Sequence, residues 1–173
     1  GVIGNTRTPF DIDIGVGDIV IPKPSKRKLE VLLENFNSPV VVTYSMESTI
    51  AEKWDAIIDR MEFNSRMKDF YDVYYLSKNY DFEGRKLQEA IFETLDNRGR
   101  AYEKDTLEKV KLFKKDEQLI VRWKAFTQNT IKVDLDFDEV IDVVTEFIGK
   151  PFESIIYEQE LFLRWKKSEG RWS

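Results

Sequence analysis

Ala51-Glu-Lys-Trp-Asp-Ala-Ile-Ile-Asp-Arg-Met-Glu-Phe-Asn-Ser-Arg-Met-Lys-Asp-Phe-Tyr-Asp-Val-Tyr-Tyr-Leu76 reads as a helix, a tight turn and a second helix. Upstream of and within the run, Ile50, Trp54, Ile57, Ile58 and Met61 recur at helical spacing. This predicts a first helix of about 14 residues starting near residue 48, with Ser45 or Ser48 as its N-cap and acidic residues behind it. Phe63-Asn-Ser65 breaks the pattern, and residues 66–78 form a second helix that packs through Met67, Phe70, Tyr71 and Tyr74. Folding alone does not require so many charges at this turn. Lys53 lies about 100° from the centre of the apolar stripe, where its stem is partly buried and its ammonium can meet a phosphate. The plain alternative is a lysine that merely snorkels. Asp69 and Asp72, three residues apart, are neighbours on the second helix. Arg66 can pair with Asp69 as an ordinary i,i+3 contact worth about 0.3–0.5 kcal/mol. That pairing leaves unexplained why Asn64-Ser65-Arg66 sits in a turn that holds residues in fixed relation to two helices.

Working outward, residues 9–20 alternate with a period of two, with Phe10, Ile12, Ile14 and Val16 on one face and Asp11, Asp13, Gly15 and Gly17 on the other. The pattern predicts a half-buried strand. Asp11 and Asp13 point the same way and repel each other unless a cation lies between them, which makes them candidate metal ligands. Read blandly, they are solvent-facing residues of an edge strand. The glycines on the same face favour a ligand or a second backbone close by, while Asp18 reads as a turn residue. Residues 22–28 read as a basic, proline-bearing loop, and residues 40–44 as a buried second strand.

Downstream, the pattern predicts helices over 84–97, 117–128 and 138–148, the last capped by Asp136 or Asp138. Pro151 is expected to interrupt, before a final helix over 152–167. The expected fold class is α+β, with two parts: 1–80, holding the strands and the charged turn, and 81–173, a C-terminal helical bundle. Tyr71, Tyr74 and Tyr75 read as core in preference to a base-stacking platform. Glu47 complements a helix dipole, and Arg98 is a surface residue or a phosphate contact. Lys109, Lys111, Lys114 and Lys115 form a solvated face or an RNA-backbone contact.

Composition narrows the chemistry. The 173 residues are 42% hydrophobic and 34% charged, which is globular with a heavily solvated surface, and the net charge of −5 offers no global attraction for nucleic acid. With no cysteine and no histidine, thiolate zinc sites, histidine metal ligands and histidine-dependent triads are excluded. Carboxylate, lysine, arginine, tyrosine and serine remain, a set suited to a hard, oxygen-liganded cation such as magnesium. No apolar run approaches the ~20 residues of a membrane span and no signal-peptide layout opens the chain, so the expected location is cytoplasmic, away from the membrane.

Phe10-Asp-Ile-Asp-Ile-Gly-Val-Gly-Asp18, Tyr44-Ser-Met-Glu-Ser-Thr-Ile-Ala-Glu-Lys53, Asn64-Ser-Arg-Met-Lys-Asp-Phe-Tyr-Asp72 and Phe92-Glu-Thr-Leu-Asp-Asn-Arg98 together resemble the nucleotidyl transferase AbiEii/AbiGii toxin family, in order and in spacing. The resemblance runs from about residue 10 to residue 126. It implies the later part of a DNA polymerase β-like nucleotidyltransferase sheet with its helices, followed by the helical bundle. It also implies magnesium-dependent transfer of a nucleotide from a nucleoside triphosphate to an RNA (tRNA) or protein acceptor, by a toxin with a cognate antitoxin. Carried onto matching positions, Asp13 is a catalytic strand carboxylate that binds metal with Asp11. Lys53 is the triphosphate contact, Asp69 the acidic residue of the last motif, and Asp72, Arg66 and Glu52 are their supports.

The family's opening Gly-Gly-Thr or Gly-Ser turn and its Asp-x-Asp pair are absent from residues 1–9. Asp11 and Asp13 are not that pair, because Gly15-x-Gly17-Asp18 behind them matches a later strand. The expectation is an N-terminally incomplete, inactive piece of a nucleotidyltransferase. The rival is a catalytically inactive module that docks on an antitoxin or another protein through its aromatic-rich C-terminal helices. A stand-alone metal-dependent phosphodiesterase using Asp11, Asp13 and Asp69 is a third and weaker reading.

Overall fold

The computed structural model describes residues 2–3, 5–7, 9, 23–31, 35–63 and 65–173, so the strand expected over 9–20, with Asp11 and Asp13, lies outside the described residues from residue 10 onward. The described chain is α+β. Two short hairpins come first: β1 (Val2–Ile3) with β2 (Thr6–Arg7), and β3 (Ser25–Lys28) with β4 (Val40–Thr43), both antiparallel. Then follow α1 (Met46–Arg60), α2 (Met67–Asn79), β5 (Phe82–Glu83), α3 (Gly84–Asn97), α4 (Thr106–Lys111), α5 (Glu117–Phe126) and α6 (Phe137–Ile156). β6 (Arg164–Lys166) and β7 (Arg171–Trp172) return to β5 to make an antiparallel sheet of order β5-β6-β7.

α1 forms where its apolar period predicts. Ser45 is the cap, its Oγ accepting from the Ser48 amide at 3.0 Å, which satisfies one of the amides left open at a helix start. Ile50, Ala51, Trp54 and Ile57 are completely buried. Burial of each large side chain in that stripe contributes about 1.5–3 kcal/mol. The stripe packs on α2 and α3, and a continuous hydrophobic cluster runs from Ile50 to Trp165, taking in Phe70, Leu87, Trp123 and Phe147. α3 spans the predicted residues, α5 stops at Phe126 before a π-helical turn over Thr127–Ile131, and α6 is capped by Asp136, whose carboxylate accepts from the Asp138 amide at 2.7 Å.

Three expectations are corrected. Residues 25–28 form a strand and not a loop, because their backbone pairs residue for residue with β4. β4 is not buried: Val40 and Val42 are 63% and 65% exposed, since among the described residues the strand belongs to a two-stranded ribbon. Pro151 does not end the helix, and residues 152–167 are not a helix of their own. α6 continues through Pro151 to Ile156, and Trp165 lies in a strand.

The passage through Pro151 has a local cause. Proline has no N–H, so the carbonyl four residues earlier, that of Phe147, loses its helical donor. The indole N–H of Trp172 donates to that carbonyl at 3.0 Å, and its ring stacks on Phe147 with centroids 5.8 Å apart and planes 5° from parallel. β7 thus satisfies the defect that Pro151 creates. Trp165 does similar work beside it, its indole N–H donating to the Ser77 carbonyl at 2.7 Å.

The returning C-terminal segment also explains Gly84. The Gly84 amide donates to the Leu163 carbonyl at 2.8 Å, and a Cβ at Gly84 would stand 2.6 Å from that same oxygen. Gly84→Ala therefore lowers stability by about 1–3 kcal/mol, the usual cost of overpacking, measurable by denaturant unfolding. Trp172→Phe keeps the ring but strands the Phe147 carbonyl, at a cost of about 1–3 kcal/mol. In a Pro151→Ala background the helix supplies its own donor, so the cost of Trp172→Phe falls. Equal costs in the two backgrounds would contradict the compensation.

Candidate functional site

The charged turn folds as the opening sequence suggests. α1 ends at Met61, which adopts a left-handed φ of 45°, a conformation costing a residue of this kind about 1–3 kcal/mol. The chain turns through Met61–Phe63 and enters α2 with Arg66 as the residue before its first turn. Asp69 lies in that first turn, where a carboxylate complements the positive end of the helix.

The turn brings Lys53 of α1 onto α2. Its Nζ donates to Asp69 Oδ1 at 2.7 Å and lies 3.4 Å from Asp72 Oδ2, so one ammonium is shared by two carboxylates a turn apart. Lys68 holds Asp72 from the solvent side at 2.6 Å, and Arg66 Nε stands 3.2 Å from Asp69 Oδ2. The Asp69 side chain is 1% exposed, yet its Oδ2 accepts no hydrogen bond among the described residues. Burial works against the charge on Lys53. The hydrogen bond and the charge of Asp69, with Asp72 beyond it, outweigh that and raise its pKa above the ordinary lysine value. Among the described residues three cations, Lys53, Arg66 and Lys68, gather around two carboxylates here, in a chain whose net charge is −5.

Lys53, Arg66, Asp69 and Asp72 therefore assemble into one cluster. Asp11 and Asp13 lie outside the described residues, and among those described no group of three or more acidic side chains is arranged to hold a metal ion. A cleft of about 1050 Å³ opens between the end of α5 and the start of α6, lined by residues that include Trp123, Lys132 and Glu139 but none of the cluster. Of the four lysines read as a possible RNA contact, three are in ion pairs: Lys109 with Glu103 and Asp105, Lys111 with Glu108, and Lys114 with Asp142. Tyr74 is no stacking platform. Its hydroxyl donates to Glu139 at 2.8 Å, and burial together with that acceptor pushes its pKa up to about 12.

The opposite flank of α1 carries an ion cluster that the sequence reading passed over. Asp55, 1% exposed, accepts from Arg98 Nη1 and from Arg100 Nε, each at 2.6 Å, and Arg100 also reaches Asp59. Arg98 is thus an ion-pair partner of α1. The available signal was the position of Asp55, about 100° from the stripe centre on the side opposite Lys53, together with two arginines around the glycine that follows α3.

Removal of Lys53 strands a buried carboxylate. Lys53→Met is expected to cost about 3–5 kcal/mol, and Asp69→Asn added to it recovers a large part of that loss. Because the lysine pKa is raised on folding, its stabilisation is complete below the ordinary value of 10.5 and is lost only as pH rises beyond it. The difference between wild type and Lys53→Met is therefore retained from neutral pH up to the ordinary lysine value in denaturant titrations. A difference that disappeared at neutral pH would contradict this pairing.

Comparison with curated proteins and with solved structures gives no significant match. A family model, the nucleotidyl transferase AbiEii toxin of type IV toxin–antitoxin (TA) systems, matches residues 1–143, which include α1, α2 and every member of the lysine–carboxylate cluster. With most of its length covered, this chain belongs to the AbiEii nucleotidyl transferase toxin family.

Proposed function

We propose that the protein contributes the lysine and carboxylate half of a magnesium-dependent nucleotidyltransferase site, which moves a nucleotide from a nucleoside triphosphate to an RNA or protein acceptor. The observation that carries this reading is Lys53 held between Asp69 and Asp72 across a turn lined by further cations. A lysine kept protonated beside two further cations suits a polyphosphate. The buried, unaccepting Oδ2 of Asp69 suits a cation or an acceptor hydroxyl. The β3–β4 ribbon is read as part of the later nucleotidyltransferase sheet.

Asp11 and Asp13 would hold magnesium, which would supply neutralisation of phosphate charge. In the transfer, an acceptor oxygen bonds to the α-phosphorus, the bond from that phosphorus to the bridging oxygen breaks, and pyrophosphate leaves. Lys53 and Arg66 stabilise the charge that gathers on the leaving phosphates. Asp69 orients the acceptor hydroxyl and receives its proton, while Asp72, fixed by Lys68, keeps the Lys53 ammonium in place. The antitoxin of the same system is the expected protein partner, and tRNA is an RNA acceptor to be tried first.

The test uses the full-length protein, α-labelled nucleoside triphosphates, magnesium, and RNA or protein acceptors. Label transfer is expected, and Lys53→Ala and Asp69→Ala each lower it by about 100-fold or more, with folding checked by circular dichroism. Undiminished transfer in both variants would sink the assignment. Absence of transfer together with absence of nucleotide binding would leave the docking-module reading in its place.

A further inference from the structure

We propose that Tyr75, backed by Tyr71, is a stacking platform for a heterocyclic base, set one helical turn beyond the Lys53–Asp69–Asp72 cluster; this deepens the nucleotidyltransferase reading and rests on it. At about 100° per residue, Lys68, Asp72 and Tyr75 fall within roughly 60° of one another on α2. From Lys68 to Tyr75 the helix rises about 10 Å, comparable with the reach of an extended nucleotide from phosphate to base. A ligand laid along this stripe puts its phosphates near the Lys68 and Lys53 ammoniums at the start of α2 and its base on Tyr75.

The three tyrosines of α2 have different roles. Tyr74 spends its hydroxyl on Glu139. Tyr71 is half-buried, its ring edge-on to Phe126 at 6.1 Å. Tyr75 is 47% exposed and its hydroxyl has no hydrogen-bond partner among the described residues. Its ring lies 6.1 Å from that of Tyr71 with planes 35° apart, so Tyr71 supports it from one side. A tyrosine kept for packing would be buried, and one kept for its hydroxyl would be paired. Tyr75 is neither, and it stands where an aromatic face beside phosphate-binding cations holds a base.

The base could belong to the incoming nucleotide or to the acceptor strand, and equilibrium binding separates the two. The probes are the four nucleoside triphosphates and a single-stranded tetraribonucleotide, each with magnesium, on the full-length protein. Tyr75→Ala is expected to weaken one class of probe by about 5- to 100-fold, whereas Tyr75→Phe and Tyr75→Trp bind like wild type because the face and not the hydroxyl is used. A loss confined to triphosphates assigns the incoming base, and a loss confined to the tetranucleotide assigns the acceptor base. If Lys53→Ala abolishes nucleotide transfer while Tyr75→Ala binds every probe like wild type, the platform is overturned and the catalytic reading stands. If wild type binds no probe, both are overturned.

Discussion

The structure depends on how α1 is held. Its apolar stripe, centred on Trp54, is driven into the core by burial, but burial alone sets only which side faces inward. Ionic contacts on the two flanks set its position between its neighbours. Lys53 reaches α2 through Asp69 and Asp72, and Asp55 on the other flank holds the arginines that follow α3. Each flank includes a carboxylate that is 1% exposed and would be costly without its cation. Such pairs add little net stability over an apolar contact of the same shape. They penalise any other arrangement of the three helices, and that penalty fixes the spacing of the site.

The same logic links the C-terminal segment to the helices it covers. Pro151 sits where sequence rules expect a helix to stop, and the helix continues because a tryptophan 21 residues later supplies the missing donor. Gly84 lacks a side chain because the backbone of the returning strand occupies that space. These contacts close β5, β6 and β7 over α6 and tie the end of α2 to the end of the chain through Trp165 and the Ser77 carbonyl.

Within the cluster, burial and charge pairing fall on the same atoms. Lys53 neutralises the buried Asp69, and the ion pair keeps the lysine protonated and fixed in direction. The turn thus gathers three cations although the chain is acidic overall. The family match covers this segment together with most of the chain.

Local periodicity was enough to locate α1, α2 and α3, to cap α1 at one of two serines, and to pick out Lys53, Arg66, Asp69 and Asp72, because helical spacing and charge at a turn are properties of neighbours in the chain. It misread β4 as buried and Pro151 as a stop, and it passed over Asp55. Exposure of β4 depends on what lies against it, and the donor to Phe147 and the partners of Asp55 come from far along the chain. The sequence by itself determined which residues carry charge and which face of each helix is apolar. Only the tertiary structure decided which charges meet, since a pairing such as Lys53 with Asp69 requires the turn at Met61 to bring two helices to one angle and one distance.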